Sequence, residues 1–396
     1  MTVGLPAAND DLVFLVAGEP SGDMIAAHLM VALRRRSAGR VRFAGVGGER
    51  MAAEGLASLF PIGDLAVMGV TEVVPRARLV LRRVRETAAA VADQRPAVVV
   101  TIDSPAFSFR VAEKIRPFGI PMVHYVAPTV WAWRPRRAKM IAQRYDHLLA
   151  LLPFEPPYFT AVGLPCTFVG HPALEEITQG DAAGFRSRHG IPANASLIAV
   201  LPGSRRGEVA RLLPIFGQAV SLLSKDVVGL RVVIPTVDLV AEMVRDATAG
   251  WPVPVTVVRG AAEKRDAFAA SQAALAASGT VAVELAAAGV PAVIAYRVSW
   301  LSAWIVRRMV KVRFANLVNL LLDRMAVPER LQEDCRPELL AADILRLLNN
   351  PTAAADQREA YAEALAKMRP EGKPPSDRAA EAILELLERR RNPAPS

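Results

Sequence analysis

Short apolar runs recur along the chain at intervals that predict an alternation of strand and helix. The first series falls at residues 12–17, 42–44, 98–102, 122–125 and 147–151, and the second near 197–201, 231–234, 255–258, 273–276 and 292–295. Between them lie stretches with helical spacing of apolar positions. Such alternation of strand and helix calls for sheets covered by helices on both faces. The fold class expected is therefore α/β, with two mostly parallel sheets. Residues 268–296 are long and weakly polar. Ser271, Gln272, Ser278, Gly279, Thr280, Glu284, Gly289 and Pro291 nevertheless divide them into strand, turn, helix, turn and strand, unlike an unbroken span of about 20 apolar residues. Residues 173–192, bearing Gly, Pro, Gln, Asp and Asn, read as a linker with one helical turn. The expected division is residues 1–172 and 193–350 as two domains, with helices over 351–396 and a frayed tail at 392–396.

One device occurs in both series: an apolar strand, a glycine-bearing turn, then a helix. The copies read Val13-Phe14-Leu15-Val16-Ala17-Gly18-Glu19-Pro20-Ser21-Gly22-Asp23 and Ile198-Ala199-Val200-Leu201-Pro202-Gly203-Ser204-Arg205-Arg206-Gly207-Glu208. Such a turn leaves backbone N–H groups at the positive end of a helix, where an anion can sit. Glu19, Ser21 and Asp23 around Gly18 and Gly22 would repel a phosphate and suit sugar hydroxyls; Ser21 or Asp23 could equally cap the helix over 24–36. Gly203, Ser204 and Arg205 favour a diphosphate. Neither turn is G-x-G-x-x-G and no G-x-x-x-x-G-K-[ST] occurs, which argues against dinucleotide and P-loop chemistry. Gly45-Val46-Gly47-Gly48 follows the second strand and reads as a turn.

Other candidates lie at strand ends. Asp103 closes the strand 98–102 where ligands of open α/β sheets bind, so it can act as a general base or as an N-cap for the helix beginning near Pro105. Gly279 and Thr280 open a helix carrying Glu284, which could accept from ribose hydroxyls or be an ordinary surface carboxylate. Trp131 and Trp133, two of the five tryptophans, could form a carbohydrate wall, a lipid-facing wedge or plain core.

Composition adds a net charge of +9 and a pI near 10.0. Basic clusters at 34–36, 76–85, 134–139, 307–313 and 389–391 invite readings as a nucleic-acid or anionic-membrane footprint, or as solvated helix faces. Trp300 and Trp304 beside Arg307 and Arg308 suit an anionic lipid surface, with Val67 and Met68 as further docking candidates. Cys166 and Cys335 are far apart, without a C-x-x-C, so neither a disulfide framework nor a zinc site is expected. Asn9-Asp10-Asp11 directly before the first strand gives no sign of a secretion signal. Both features fit a cytoplasmic protein.

Ala17-Gly18-Glu19-Pro20-Ser21-Gly22-Asp23, Val67-Met68-Gly69, Ile102-Asp103-Ser104-Pro105, His124-Tyr125-Val126, Val130-Trp131-Ala132-Trp133-Arg134, Leu152-Pro153-Phe154-Glu155, Val169-Gly170-His171-Pro172, Leu201-Pro202-Gly203-Ser204-Arg205, Ser278-Gly279-Thr280 and Leu331-Gln332-Glu333-Asp334-Cys335 occur in this order. Together they closely resemble the lipid-A-disaccharide synthase family, from about residue 12 to 348. The resemblance implies a GT-B fold, two Rossmann-like domains facing a cleft, with a final helix packed back on the first. It also implies transfer of 2,3-diacylglucosamine from its UDP derivative to the 6-hydroxyl of 2,3-diacylglucosamine 1-phosphate. The implied reaction is inverting, needs no metal or other cofactor, and runs at the cytoplasmic face of the inner membrane. No nucleic-acid partner is implied; a homodimer is left open. In these terms Asp103 is the base, Arg205 contacts the diphosphate, and Glu284 and Asn319 belong to the donor site. The chain departs from the family pattern at Ala106 and Ser108, where many members carry Asp and Asn, and at Val318, where they carry proline. The alternatives are another GT-B enzyme, such as a UDP-N-acetylglucosamine epimerase, and a non-enzymatic protein binding anionic surfaces.

Overall fold

The computed structural model describes residues 11–65, 73–133, 136–175, 180–298, 313–370 and 372–391. They form two compact units, Met1–Pro172 with Met368–Ser396, and Ala173–Lys367. In the first unit, β1 (Asp11–Ala17), β2 (Val41–Val46), β3 (Val98–Ile102), β4 (Met122–Tyr125), β5 (His147–Ala150) and β6 (Cys166–Phe168) make one sheet in the order β2-β1-β3-β4-β5-β6. In the second, β7 (Leu197–Leu201), β8 (Arg231–Thr236), β9 (Val255–Arg259), β10 (Ala273–Ala277), β11 (Ala292–Tyr296) and β12 (Glu329–Leu331) are ordered β12-β11-β10-β7-β8-β9. Both sheets are parallel throughout.

Every residue of β3, β7 and β10 is buried, as strands sandwiched between helical layers require. The register sets strand ends level: Ala17 pairs with Ile102, Ile102 with Tyr125, and Leu201 with Ala276. All exit loops of a sheet therefore emerge at one edge. Strand order reverses between β1 and β3 in the first sheet and between β7 and β10 in the second, the points at which open α/β sheets bind their ligands.

The final helix, Pro375–Arg391, packs on Pro20–Arg36 within the first unit. Ala379, Ala380 and Ile383 share a core with Ile25, Leu29 and Leu33. The polar edge is fixed by Asp377, which accepts from Arg35 and Arg36, and by Glu381, 2.8 Å from Arg36. Part of the positive charge excess is thus used inside the unit.

Residues 173–192 are not a bare linker. They carry the helix Ala182–Arg188, capped by Asp181, and its Phe185 is fully buried in the second unit's core. The Gly, Pro and Asp content sets the boundaries of that helix and hides its apolar anchor. Helix Pro351–Lys367 also belongs to the second unit, burying Tyr361 and Ala364 there, while Gln357 pairs with both backbone groups of Ala292. Residues 273–296 form strand, helix and strand, and among the described residues no helix is long and apolar enough to cross a membrane.

Candidate active site

At the reversal point of the first sheet, Asp103 and Ser104 leave β3 with φ of 52° and 44°. Two consecutive non-glycine residues in the left-handed region are costly, and such strain gathers at functional turns. Asp is among the few non-glycine residues that visit this conformation. Here the backbone is held from both sides: Asp103 N donates to Tyr125 O at 3.0 Å, and the buried Ser108 hydroxyl donates to Asp103 O at 2.7 Å. Ser108 thus has a structural use, whereas Ala106 is exposed. The N-cap position of Pro105–Ile115 belongs to Ser104, so the Asp103 carboxylate is not the cap. It lies partly exposed and accepts from the Ser21 hydroxyl at 3.1 Å.

Ser21 lies in the first turn of the helix Pro20–Arg36 that follows β1, so the structure brings these two predicted residues together. Gly18 makes the approach feasible, since a Cβ there would lie 2.5 Å from Ser104 Cβ. Gly22 packs under Ile102 O in the same way, at 3.1 Å. Glu19 is the exposed N-cap residue of Pro20–Arg36. Asp23 points elsewhere. Its buried carboxylate accepts from Gly48 N, Arg50 N and Met51 N at 2.7, 3.0 and 3.2 Å, closing the start of Glu49–Ala53. Asp23 therefore does not cap its own helix; its carboxylate serves three N–H groups at the start of the next one. The Gly47-Gly48 turn is where it lands.

Trp131, in the turn Val130–Trp133 after β4, is partly buried and donates its indole N–H to Glu155 at 3.1 Å. Glu155 closes the Leu152-Pro153-Phe154-Glu155 segment quoted above, where it carried no role of its own; its local signal is a lone carboxylate after the apolar run at the end of β5. Burial pushes its carboxyl up to about 7, although the N–H groups of Leu152, Trp131 and Leu151 pull the other way. His124, quoted above only within the His124-Tyr125-Val126 segment, was likewise given no role. It is fully buried, its Nδ1 2.8 Å from the Thr101 hydroxyl, and burial pushes its imidazole down to about 3, so it stays neutral. The side chain of Trp133, together with Val67, Met68, Trp300, Trp304, Arg307 and Arg308, lies outside the described residues.

The second unit presents Gly203, Ser204 and Arg205 at the exit of β7, ahead of the long helix Arg206–Asp226. Gly203 has φ 111°, which a side chain would resist, and a Cβ there would meet Glu208. Arg205 is 79% exposed and paired with Glu208 at 3.2 Å, an ion pair weak enough to exchange for a ligand anion. Across the reversal point, Gly279 and Thr280 are exposed before Val281–Ala287, and no atom lies within 4 Å of a Cβ at Gly279. Glu284 is engaged by Lys264 at 2.6 Å, so it meets a cation of its own unit.

Asn319 is wholly buried, and each of its polar atoms is used. Its amide donates to Val327 O and Glu329, and its oxygen accepts from Ala326 N and Val327 N, all at 2.7–2.8 Å. Direct donor contact through this side chain would break that set. Glu329, also missed from sequence, holds Ala315 N and Asn316 N, while Ser278 donates to Ala315 O at 3.3 Å. Asn319 therefore braces the segment beside the Gly279 turn. Val318 N donates to the Asn316 cap at 2.8 Å, a bond that a proline at 318 could not make.

A family model for lipid-A-disaccharide synthetase matches residues 13–383. The chain belongs to the lipid-A-disaccharide synthase family. The synthase of Rhodospirillum centenum is 55% identical, over 96% of this chain and 95% of its own length. That of Nitrobacter hamburgensis is 44% identical, over 99% and 100%. Among solved structures, UDP-N-acetylglucosamine 2-epimerase from Neisseria meningitidis, bound to UDP-GlcNAc, superposes with a TM-score of 0.63 at 13% identity, covering 96% of this chain and 100% of that one. Acinetobacter baumannii MurG gives 0.55 at 14%, covering 96% and 99%. Those two likenesses speak for the GT-B fold alone. The family makes the chain a glycosyltransferase of lipid A biosynthesis.

Two outcomes follow from this geometry. Asp23→Ala should lower unfolding free energy by about 1–3 kcal/mol in denaturant titrations, because three backbone N–H groups, the buried one of Met51 among them, lose their acceptor, whereas exposed Ser21→Ala should stay within about 0.5 kcal/mol. The raised Glu155 pKa means the folded chain holds a proton that the unfolded chain, near 4.5, releases. Its contribution to stability is full below 4.5 and is lost as pH rises through about 7. Thermal unfolding from pH 5 to 8 should therefore show a decline in the native chain that Glu155→Gln lacks; parallel pH profiles would contradict the assignment.

Proposed function

We propose that the chain transfers 2,3-diacylglucosamine from its UDP derivative to the 6-hydroxyl of 2,3-diacylglucosamine 1-phosphate, with inversion, releasing UDP. The observation that carries this reading, beyond family membership, is Asp103. Its carboxylate is partly exposed at a sheet reversal point, with one hydrogen bond, from Ser21, among the described residues. It retains free lone pairs with which to take a proton.

The two units divide the chemistry. Asp103 removes the proton of the acceptor hydroxyl as that oxygen forms a bond to the anomeric carbon. The bond from that carbon to the diphosphate breaks, and UDP leaves with the electron pair. Arg205 and the N–H groups of the 203–206 turn meet the charge that develops there, with Gly279 and Thr280 as a second donor-binding turn. Glu19, Ser21 and the ring of Trp131 serve the acceptor. Both substrates carry acyl chains, so the enzyme must meet them at a lipid surface, the inner face of the cytoplasmic membrane; the reading calls for neither a cofactor nor a nucleic-acid partner.

Purified chain supplied with both acylated sugars should release UDP, and turnover should persist in a chelator. Asp103→Asn should lower kcat about 10²- to 10⁴-fold with an unchanged unfolding profile. Unchanged turnover would remove Asp103 as the base. Sustained turnover of UDP-N-acetylglucosamine without an acylated acceptor would favour an epimerase instead.

A further inference from the structure

Glu155 is a buried carboxylate that the transfer chemistry leaves unused. It ends the turn after β5, is 2% exposed, and gives its two oxygens different work. Oε2 accepts from Leu151 N and Leu152 N, both at 3.0 Å, and Oε1 accepts from the Trp131 indole at 3.1 Å. The Phe154 ring meets the same indole edge-on, with centroids 5.1 Å apart and planes at 90°. Trp131 belongs to the turn after β4, yet it is gripped from the exit of β5. The backbone joins these two exits as well, Val126 N and Ala127 N both donating to Leu149 O.

Packing alone would retain a tryptophan here without the desolvation cost of a buried carboxylate. What the carboxylate adds is direction, since the indole N–H must point at it. That donor is then used, so Trp131 can offer a ligand only its ring. Both exits open on the sheet edge that carries Asp103, because Ile102 and Tyr125 end level.

We propose that Glu155 is a positioning residue for the acceptor sugar: it orients the Trp131 indole so that the ring makes a stacking platform for the pyranose. The inference rests on the reading of the first unit as the acceptor side. Glu155→Gln probes it at nearly constant volume. A glutamine oxygen turned to the two backbone N–H groups leaves its NH2 facing the indole N–H, donor against donor, and the ring must turn away.

The test is steady-state kinetics of the full chain with both substrates, each variant's fold checked by near-UV circular dichroism. Glu155→Gln should raise the acceptor KM about three- to tenfold, the size of one aromatic stacking contact, with donor KM and kcat at saturating acceptor nearly unchanged. Trp131→Phe, which keeps a ring but lacks the N–H, should match it. The double variant should be no worse than the larger single change, and Trp131→Ala should exceed both. An unchanged acceptor KM in folded Glu155→Gln and Trp131→Phe, or a parallel rise in donor KM, overturns the positioning role. If Glu155→Gln fails to fold, Trp131→Phe decides by the same criterion. An unchanged KM in Trp131→Ala removes the platform altogether. Lack of turnover by the native chain would instead overturn the proposed function, a result distinguishable from any difference among variants.

Discussion

Because every strand pair in both sheets is parallel, each strand must leave its sheet at the same edge as its neighbours. All chemistry carried on exit loops is thereby gathered on one side of each sheet. Where the strand order reverses, consecutive exit loops run apart and a ligand can reach backbone N–H groups between them. Asp103 and Ser21 occupy that place in the first sheet, Gly203–Arg205 and Gly279 in the second. No residue there needs a long loop to reach its position, since the level strand ends of the register already bring them together.

The same constraint separates side chains that remain available from those consumed in building the edge. Asp23, Asn319 and Glu329 have the polar chemistry of a binding site but are used on backbone N–H groups of turns. Freeing any of these side chains for a ligand would break two or three bonds to backbone N–H groups at once, so these residues are committed to their turns. Asp103 and Arg205 differ in kind. Each stands partly or largely exposed, with a single weak side-chain partner that a substrate can displace. Strain at Asp103 and Ser104 is borne by a ring of backbone and Ser108 bonds that leaves the carboxylate itself out.

Much of this was legible in the apolar pattern, and the failures have physical reasons. The long central strands are buried on both faces, so their runs stand out; β6 and β12, of three residues each at sheet edges, are too short to carry a pattern. The helix Ala182–Arg188 was hidden because one buried Phe185 anchors it amid turn-forming neighbours. Asp23 looked like a ligand residue because its partners lie 25 to 28 positions away, beyond any local capping rule. Glu284 lies on the helix expected for it, and its ion pair with Lys264 joins two helices that sequence spacing does not relate. Glu155 stood in a quoted motif, but its only physical signal was a carboxylate in apolar company, and its indole partner is set by the pairing of β4 with β5.

The central claim is the division of labour between the two reversal points, donor on the second unit and acceptor on the first. Hydrogen–deuterium exchange of the full chain with UDP alone tests it directly. The account predicts slowed exchange in residues 203–208, 278–282 and 313–317, with residues 18–23 and 103–108 unchanged. Protection of 18–23 and 103–108, with none at 203–208, would contradict it.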